Sequence, residues 1–109
     1  MMAISPTQRT LKRMRESGDY KEGMIKVVER WNPFARIRQD LWNFDIMGIS
    51  ITGETHLIQV TTYGNMNARI DKITNAECTP HLRDADYVLL VEGWKKVNNR
   101  WKSFIADLS

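Results

Sequence analysis

The sequence predicts a single α/β domain, residues 1–109, in which one helix, three strands, a second helix and two further strands follow one another, an αβββαββ order. Three observations carry that order. A capping signature at Ser5-Pro6-Thr7-Gln8 starts the first helix, and β-branched runs punctuated by turn residues extend from Met24 to Thr61. A segment with helical spacing then precedes the continuous apolar run Tyr87-Val88-Leu89-Leu90-Val91. A chain of 109 residues buries roughly two thirds of its unfolded surface, enough for a core without staples.

The bulk numbers exclude more than they assign. Hydrophobic and charged fractions of 42% and 27% are those of an ordinary globular domain. A formal charge of +3 and a pI near 9.2 permit nucleic-acid binding without requiring it. Cys78 is the one cysteine, so no intramolecular disulfide forms and a reducing compartment is expected. With His56 and His81 it assembles no zinc-ligand spacing. No apolar run approaches 18 residues and no hydrophobic segment follows a basic start, so the expectation is a cytoplasmic chain with no membrane partner. There is no glycine-rich phosphate loop, nucleophile elbow or internal repeat.

In the first helix Ser5 is the N-cap, Pro6 the first helical position and Gln8 the closing residue of a capping box. The helix should run to about Ser17 and stop at Gly18. Leu11 and Met14 face one way, and Arg9, Lys12, Arg13 and Arg15 cover the rest, either as a solvated face or as a patch facing phosphates. Asp19 to Gly23 reads as a loop, and Met24 to Trp31 as a strand ended by Asn32-Pro33. Glu29 shares a face with Val27. It either pairs with Arg30, Arg36 or Arg38, or adds a carboxylate to the neighbouring strand.

From Phe34 to Phe44 no element is assigned. Arg36 and Arg38 alternate there with Phe34, Ile37, Leu41 and Trp42. The guanidinium groups suit phosphates and the rings suit stacking or wedging against bases, unless the rings are core plugs. Asp40 is a second acid behind the site or a partner for Arg38.

The stretch Asp45 to Thr61, DIMGISITGETHLIQVT, reads as a hairpin turning at Thr52-Gly53-Glu54. That loop sets Met47 opposite Gln59 and Asp45 opposite Thr61, with Asp45, Gln59 and Thr61 on one face. Asp45 and Gln59 are then close enough to share a divalent cation. After Thr62-Tyr63-Gly64, Asn65 is the expected N-cap of a helix to about Cys78, with Met66, Ile70 and Ile73 at helical spacing and Arg69 and Lys72 on one face. Tyr63, Asn65 and Asn67 offer polar groups beside it. Thr79 to Asp86 reads as turns. Tyr87 to Val97 and Arg100 to Ile105 read as strands around Asn98-Asn99, with Trp101 opposite Lys96 on the face of Trp94. The cluster suits edge packing, a dimer surface or a DNA-facing edge.

Asp45 followed 14 residues later by Gln59-Val60-Thr61 resembles the motif of the PD-(D/E)XK nuclease superfamily, also called restriction-endonuclease-like. Glu29-Arg30-Trp31-Asn32-Pro33, Arg38-Gln39-Asp40-Leu41-Trp42-Asn43-Phe44-Asp45 and Ala68-Arg69-Ile70-Asp71-Lys72-Ile73 are similar to blocks of its small phage and prokaryotic members. The likeness spans roughly residues 7 to 105. It implies a mixed sheet of about five strands flanked by two helices, and a DNA endonuclease using Mg²⁺ or Mn²⁺. Asp45, Gln59 and the Val60 carbonyl, with Glu29, would hold the metal. Arg13, Arg36, Arg38, Tyr63, Arg69 and Lys72 would face DNA. Two residues depart from the pattern: Gln59 offers a neutral oxygen where the family has a carboxylate, and Thr61 stands where it has lysine, so Lys72 or Arg69 must supply the cation. One site per small chain implies a homodimer, as in the Holliday junction resolvases of the superfamily. The same substitutions fit a DNA-binding protein on a decayed nuclease fold.

Overall fold

A computed structural model describes residues 4–109, the side chain of Arg38 excepted. Helix α1, Pro6–Ser17, carries both halves of the capping box at Ser5 and Gln8 and ends on Gly18 in the left-handed conformation, as the sequence predicts. The main sheet holds β1 (Tyr20–Val27), β4 (Ile46–Ser50), β5 (Thr55–Thr62), β6 (Val88–Val97) and β7 (Arg100–Asp107), side by side in that order. β5 and β6 are parallel and every other pair is antiparallel, so the sheet is mixed. A 3₁₀ turn (Tyr63–Asn65), α2 (Met66–Thr74) and α3 (Thr79–Asp84) lie in the crossover between them.

Alternation along β5 and β6 divides the core into two layers. Ile58, Val60, Leu90 and Trp94 pack with Met14 under α1, and Leu57, Leu89 and Val91 pack with Met66, Ile73 and Leu82 under α2 and α3. Trp94 Nε1 donates to Thr10 Oγ1 at 2.9 Å, satisfying a buried indole. Gly93 lets the crossover close. A Cβ there would strike the Met66 side chain and stand 3.1 Å from Tyr63 Cα. Gly93→Ala is therefore expected to cost about 1–3 kcal/mol, read as a lower urea midpoint at unchanged slope.

Several expected boundaries change. Asp19 to Gly23 is largely strand: β1 begins at Tyr20 and bulges before Ile25, with Gly23 at φ 73°. The expected strand Met24 to Trp31 breaks at Val28-Glu29, after which β2 (Arg30–Asn32) and β3 (Ile37–Gln39) form a separate two-stranded ribbon. Pro33, which has no N–H to add to a ladder, falls in its turn. The central hairpin turns through Ser50 to Glu54 and not through Thr52-Gly53-Glu54 alone, because Ser50 N–H donates to Glu54 O, Glu54 N–H to Ser50 Oγ, and Ile51 N–H to Asp19 O on the neighbouring segment. Every pair shifts by two, so Met47 faces Leu57 where Gln59 was expected. A shift of two preserves the faces.

The second helix ends at Thr74, short of Cys78, where Asn75 folds its side-chain amide back onto Asp71 O and Thr79 Oγ1 donates to Ile73 O. Thr79 to Asp84, read as turns, is a helix with Pro80 in its first turn, so the helices number three among the described residues. Asn65 precedes α2 without a side-chain cap bond. The β6–β7 hairpin turns on Asn98 and Asn99, both at positive φ, and places Lys96 opposite Trp101 as predicted. Among the described residues no helix is long and apolar enough to cross a membrane.

Candidate active site

Two local devices deliver Asp45 to its place. Trp42 and Asn43, at φ 52° and 75°, make a tight turn in which Leu41 and Phe44 exchange backbone hydrogen bonds of 2.9 and 2.8 Å. Phe44 is then driven fully into the core while Asp40 and Asp45 flank the turn. Asp45 next ties two strands together: its N–H donates to Ile58 O at 2.9 Å and its carbonyl accepts from Val28 N–H at 2.8 Å. That second bond puts Glu29 beside it.

Asp45 is 7% exposed, and its Oδ2 accepts from Gln59 Nε2 at 2.7 Å and from Val60 N–H at 2.9 Å. Gln59 Nε2 also donates to Val60 O at 3.2 Å, so one amide nitrogen bridges a carboxylate and a carbonyl oxygen. Gln59 Oε1 is buried and makes no hydrogen bond among the described residues. A buried acceptor left unmet costs free energy and marks a place where a donor or cation belongs.

These groups open onto a cavity of about 420 Å³. Glu29, Asp40 and Asp45 supply its acid, Arg69 and Lys72 of α2 its positive charge, and Pro6 and Thr7 of α1 close it. Burial pushes the Asp45 carboxyl up to about 6; the negative charges of Glu29 and Asp40 add to this, while the Val60 N–H and Arg69 oppose it. The carboxyl therefore titrates close to neutrality.

The structure brings together Asp45, Gln59, Val60, Glu29, Arg69 and Lys72, and separates Thr61, Arg13, Tyr63 and Arg36 from them, while the expected role of the Arg38 side chain lies outside the described residues. Thr61 is buried one pleat further along β5, outside the cavity lining. Arg13, on α1, turns inward to the sheet, where Nε and Nη2 donate to Glu92 Oε2 and Oε1 at 2.7 and 2.9 Å. Tyr63 stacks against Phe104 with centroids 4.8 Å apart, and Lys95 Nζ sits 4.3 Å above its ring. Arg36 stands in the β2–β3 turn, and Arg38 contributes backbone pairing to Trp31. Asp40, read as one of two alternatives, lines the cavity. Thr7 was not anticipated, and no local signal marks it.

Among the described residues no group of three or more His, Cys, Asp and Glu side chains converges to hold a metal. The oxygens that do converge are those of the Asp45 carboxylate and the Val60 carbonyl, and both accept from Gln59 Nε2, so the amide presents its N–H group to them and not its oxygen. Hard oxygens of this kind would suit Mg²⁺ or Mn²⁺ better than zinc, with Gln59 Oε1 added only if the amide turned over. Fold and cavity together define an α/β protein with a mixed five-stranded sheet and an acidic, cation-flanked cavity lined by β5, the first turn of α1, α2 and the loop residues Glu29, Asp40 and Asp45. Comparison of the chain with family models, with curated proteins and with solved structures returns no match.

Proposed function

We propose that the chain is a divalent-metal-dependent DNA endonuclease on a restriction-endonuclease-like core, acting in the cytoplasm as a homodimer that cuts both strands of a duplex or four-way junction. The observation that carries this reading is a buried carboxylate opposite an amide whose oxygen is unmet, in a cavity walled by an arginine and a lysine. Asp45, Gln59 and the Val60 carbonyl, with Glu29, are the residues that would hold Mg²⁺ or Mn²⁺, which when bound neutralises phosphate charge and acidifies a water. Asp45 is ionised only above about pH 6, so its capacity as a ligand rises through neutrality. Lys72 and Arg69 bind and orient the phosphate from α2, taking the part that uncharged Thr61 does not fill.

A second reading has its own support. Gln59 Nε2 already bridges Asp45 and Val60 O as a neutral donor, the place a cation would take, which favours a DNA-binding protein on a catalytically decayed nuclease fold. Cleavage of plasmid, linear duplex, single-stranded and junction DNA with Mg²⁺, Mn²⁺ or EDTA separates the two. The nuclease reading expects metal-dependent cutting by wild type, lost in Asp45→Ala and increased in Gln59→Glu. Salt-sensitive binding with no cutting by wild type selects the second reading.

A further inference from the structure

Between Glu29 and Asp40 the chain leaves the main sheet as the β2–β3 ribbon, which the chemistry above does not use. Its residues, Arg30 to Gln39, include three arginines and no acid. The turn is braced from within: Asn32 Oδ1 accepts from the N–H groups of Phe34 and Ala35 at 3.0 and 3.1 Å, while Asn32 Nδ2 donates to Gln39 Oε1 at 3.2 Å. On this braced turn Phe34 is 98% exposed, and Trp31 and Ile37 lower on the ribbon are also more than half exposed. Such a ring contributes nothing to the chain's own core. Trp31 and Ile37 project from opposite faces of the ribbon, so it carries exposed apolar surface on both faces as well as at its tip.

The chemistry of the ribbon selects its occupant. Arginines without acids ask for a polyanion, and an aromatic tip beside proline asks for stacked rings to enter. Duplex DNA offers both, with phosphates on the groove edges and base steps that a phenylalanine wedge unstacks from the minor groove. Position agrees with chemistry. The ribbon's legs end at Glu29 and Asp40, and both residues line the Asp45 cavity. Three residues of strand separate leg from tip, about 10 Å, or roughly three base steps. A duplex gripped at the tip therefore runs past the cavity.

We propose that the β2–β3 ribbon is a DNA arm that inserts Phe34 between base pairs from the minor groove, with Arg30 and Arg36 on the flanking phosphates. This rests on the nucleic-acid reading of the cavity and sharpens it: the preferred substrate is a duplex that kinks easily.

The test is binding of the full chain, in EDTA, to a duplex carrying 2-aminopurine and end labels for energy transfer. Wild type should raise the 2-aminopurine fluorescence and shorten the end-to-end distance. Phe34→Ala should abolish both and weaken binding about tenfold. Arg36→Ala should weaken binding and lower the salt slope by about one. The arm is overturned if wild type leaves the fluorescence unchanged or if Phe34→Ala binds as wild type does. It is also overturned if Phe34→Ala turns a dimer into a monomer in sedimentation at unchanged DNA affinity, since the tip is then a contact between copies. The cavity reading fails separately. Arm variants that lose unstacking while no metal supports cutting by wild type leave the arm standing without the nuclease; cutting that survives in Phe34→Ala at unchanged affinity leaves the nuclease without the arm.

Discussion

Replacing Asp45 with asparagine should abolish cleavage and, in the same molecule, raise stability at pH 8 by about 2–3 kcal/mol. The stability gain follows from where the carboxyl titrates. In the unfolded chain it loses its proton near 3.8, and in the folded chain near 6, chiefly because it is buried. Between those values folding takes up a proton, so stability falls as pH rises through the window. Above about pH 6 the whole cost of about 3 kcal/mol is present, and below about pH 4 none of it is. Asparagine offers an oxygen to the same two donors, Gln59 Nε2 and Val60 N–H, and carries no charge to desolvate. Urea unfolding at pH 4, 6 and 8 should show the two proteins converging at low pH and diverging above it. Coincident midpoints at pH 8 would remove the electrostatic strain from Asp45.

Loss of the carboxylate should lower cleavage by at least about 10²-fold, the scale on which metal sites respond to altered ligation. Added Mg²⁺ should then stabilise wild type and leave Asp45→Asn unmoved, since a ligand raises stability only where it binds the folded state. A residue whose replacement improves the fold and removes the chemistry is held there for the chemistry.

The second large effect lies on the opposite face of the sheet. Arg13→Met should destabilise the chain by about 3 kcal/mol, a fall in Tm of roughly 15 °C. Glu92 is fully buried in β6, and Arg13 meets both its oxygens. Burial works against the charged guanidinium, but the bond and charge of Glu92 more than offset it, so Arg13 holds its proton more tightly than usual. Removing Arg13 leaves an uncompensated carboxylate in the core. The double variant Arg13→Met with Glu92→Leu should return to within about 1 kcal/mol of wild type, because two apolar groups need no partner. DNA affinity should be unchanged in the double variant, in contrast to a phosphate-contacting arginine. Thermal melts of the single and double variants check the first part, and a Tm unchanged in the single variant would mean the pair does not hold α1 to the sheet.

The basic face of α1 shows how far a sequence reading reaches. Leu11 and Met14 mark the buried side correctly, but nothing in the helix distinguishes Arg13 from Arg9 or Arg15. The signal lay 79 residues away, in a glutamate that interrupts a continuous apolar strand. A charged residue on a strand buried on both faces needs a partner, and only the packing of α1 across β6 names it. The ribbon was illegible for a related reason. Three-residue strands carry too little periodicity to be seen, and their pairing depends on Asn32 bracing the turn.

What the sequence by itself determined is everything set within a few residues. The capping box and Gly18 bound α1, Asn98-Asn99 turn β6 into β7 in the expected register, and alternation puts Asp45 and Gln59 on one face of a hairpin. Tertiary structure decided the rest: the two-residue shift of that hairpin, the break between β1 and the ribbon, the early end of α2, and the meeting of Glu29, Asp40, Arg69 and Lys72 around Asp45. The division is physical. Caps and turns are satisfied by neighbours in the chain, whereas Ile51 leaves its hairpin partner for the Asp19 carbonyl, and the proton affinity of Asp45 is set by burial and by charges that only the folded chain brings to it.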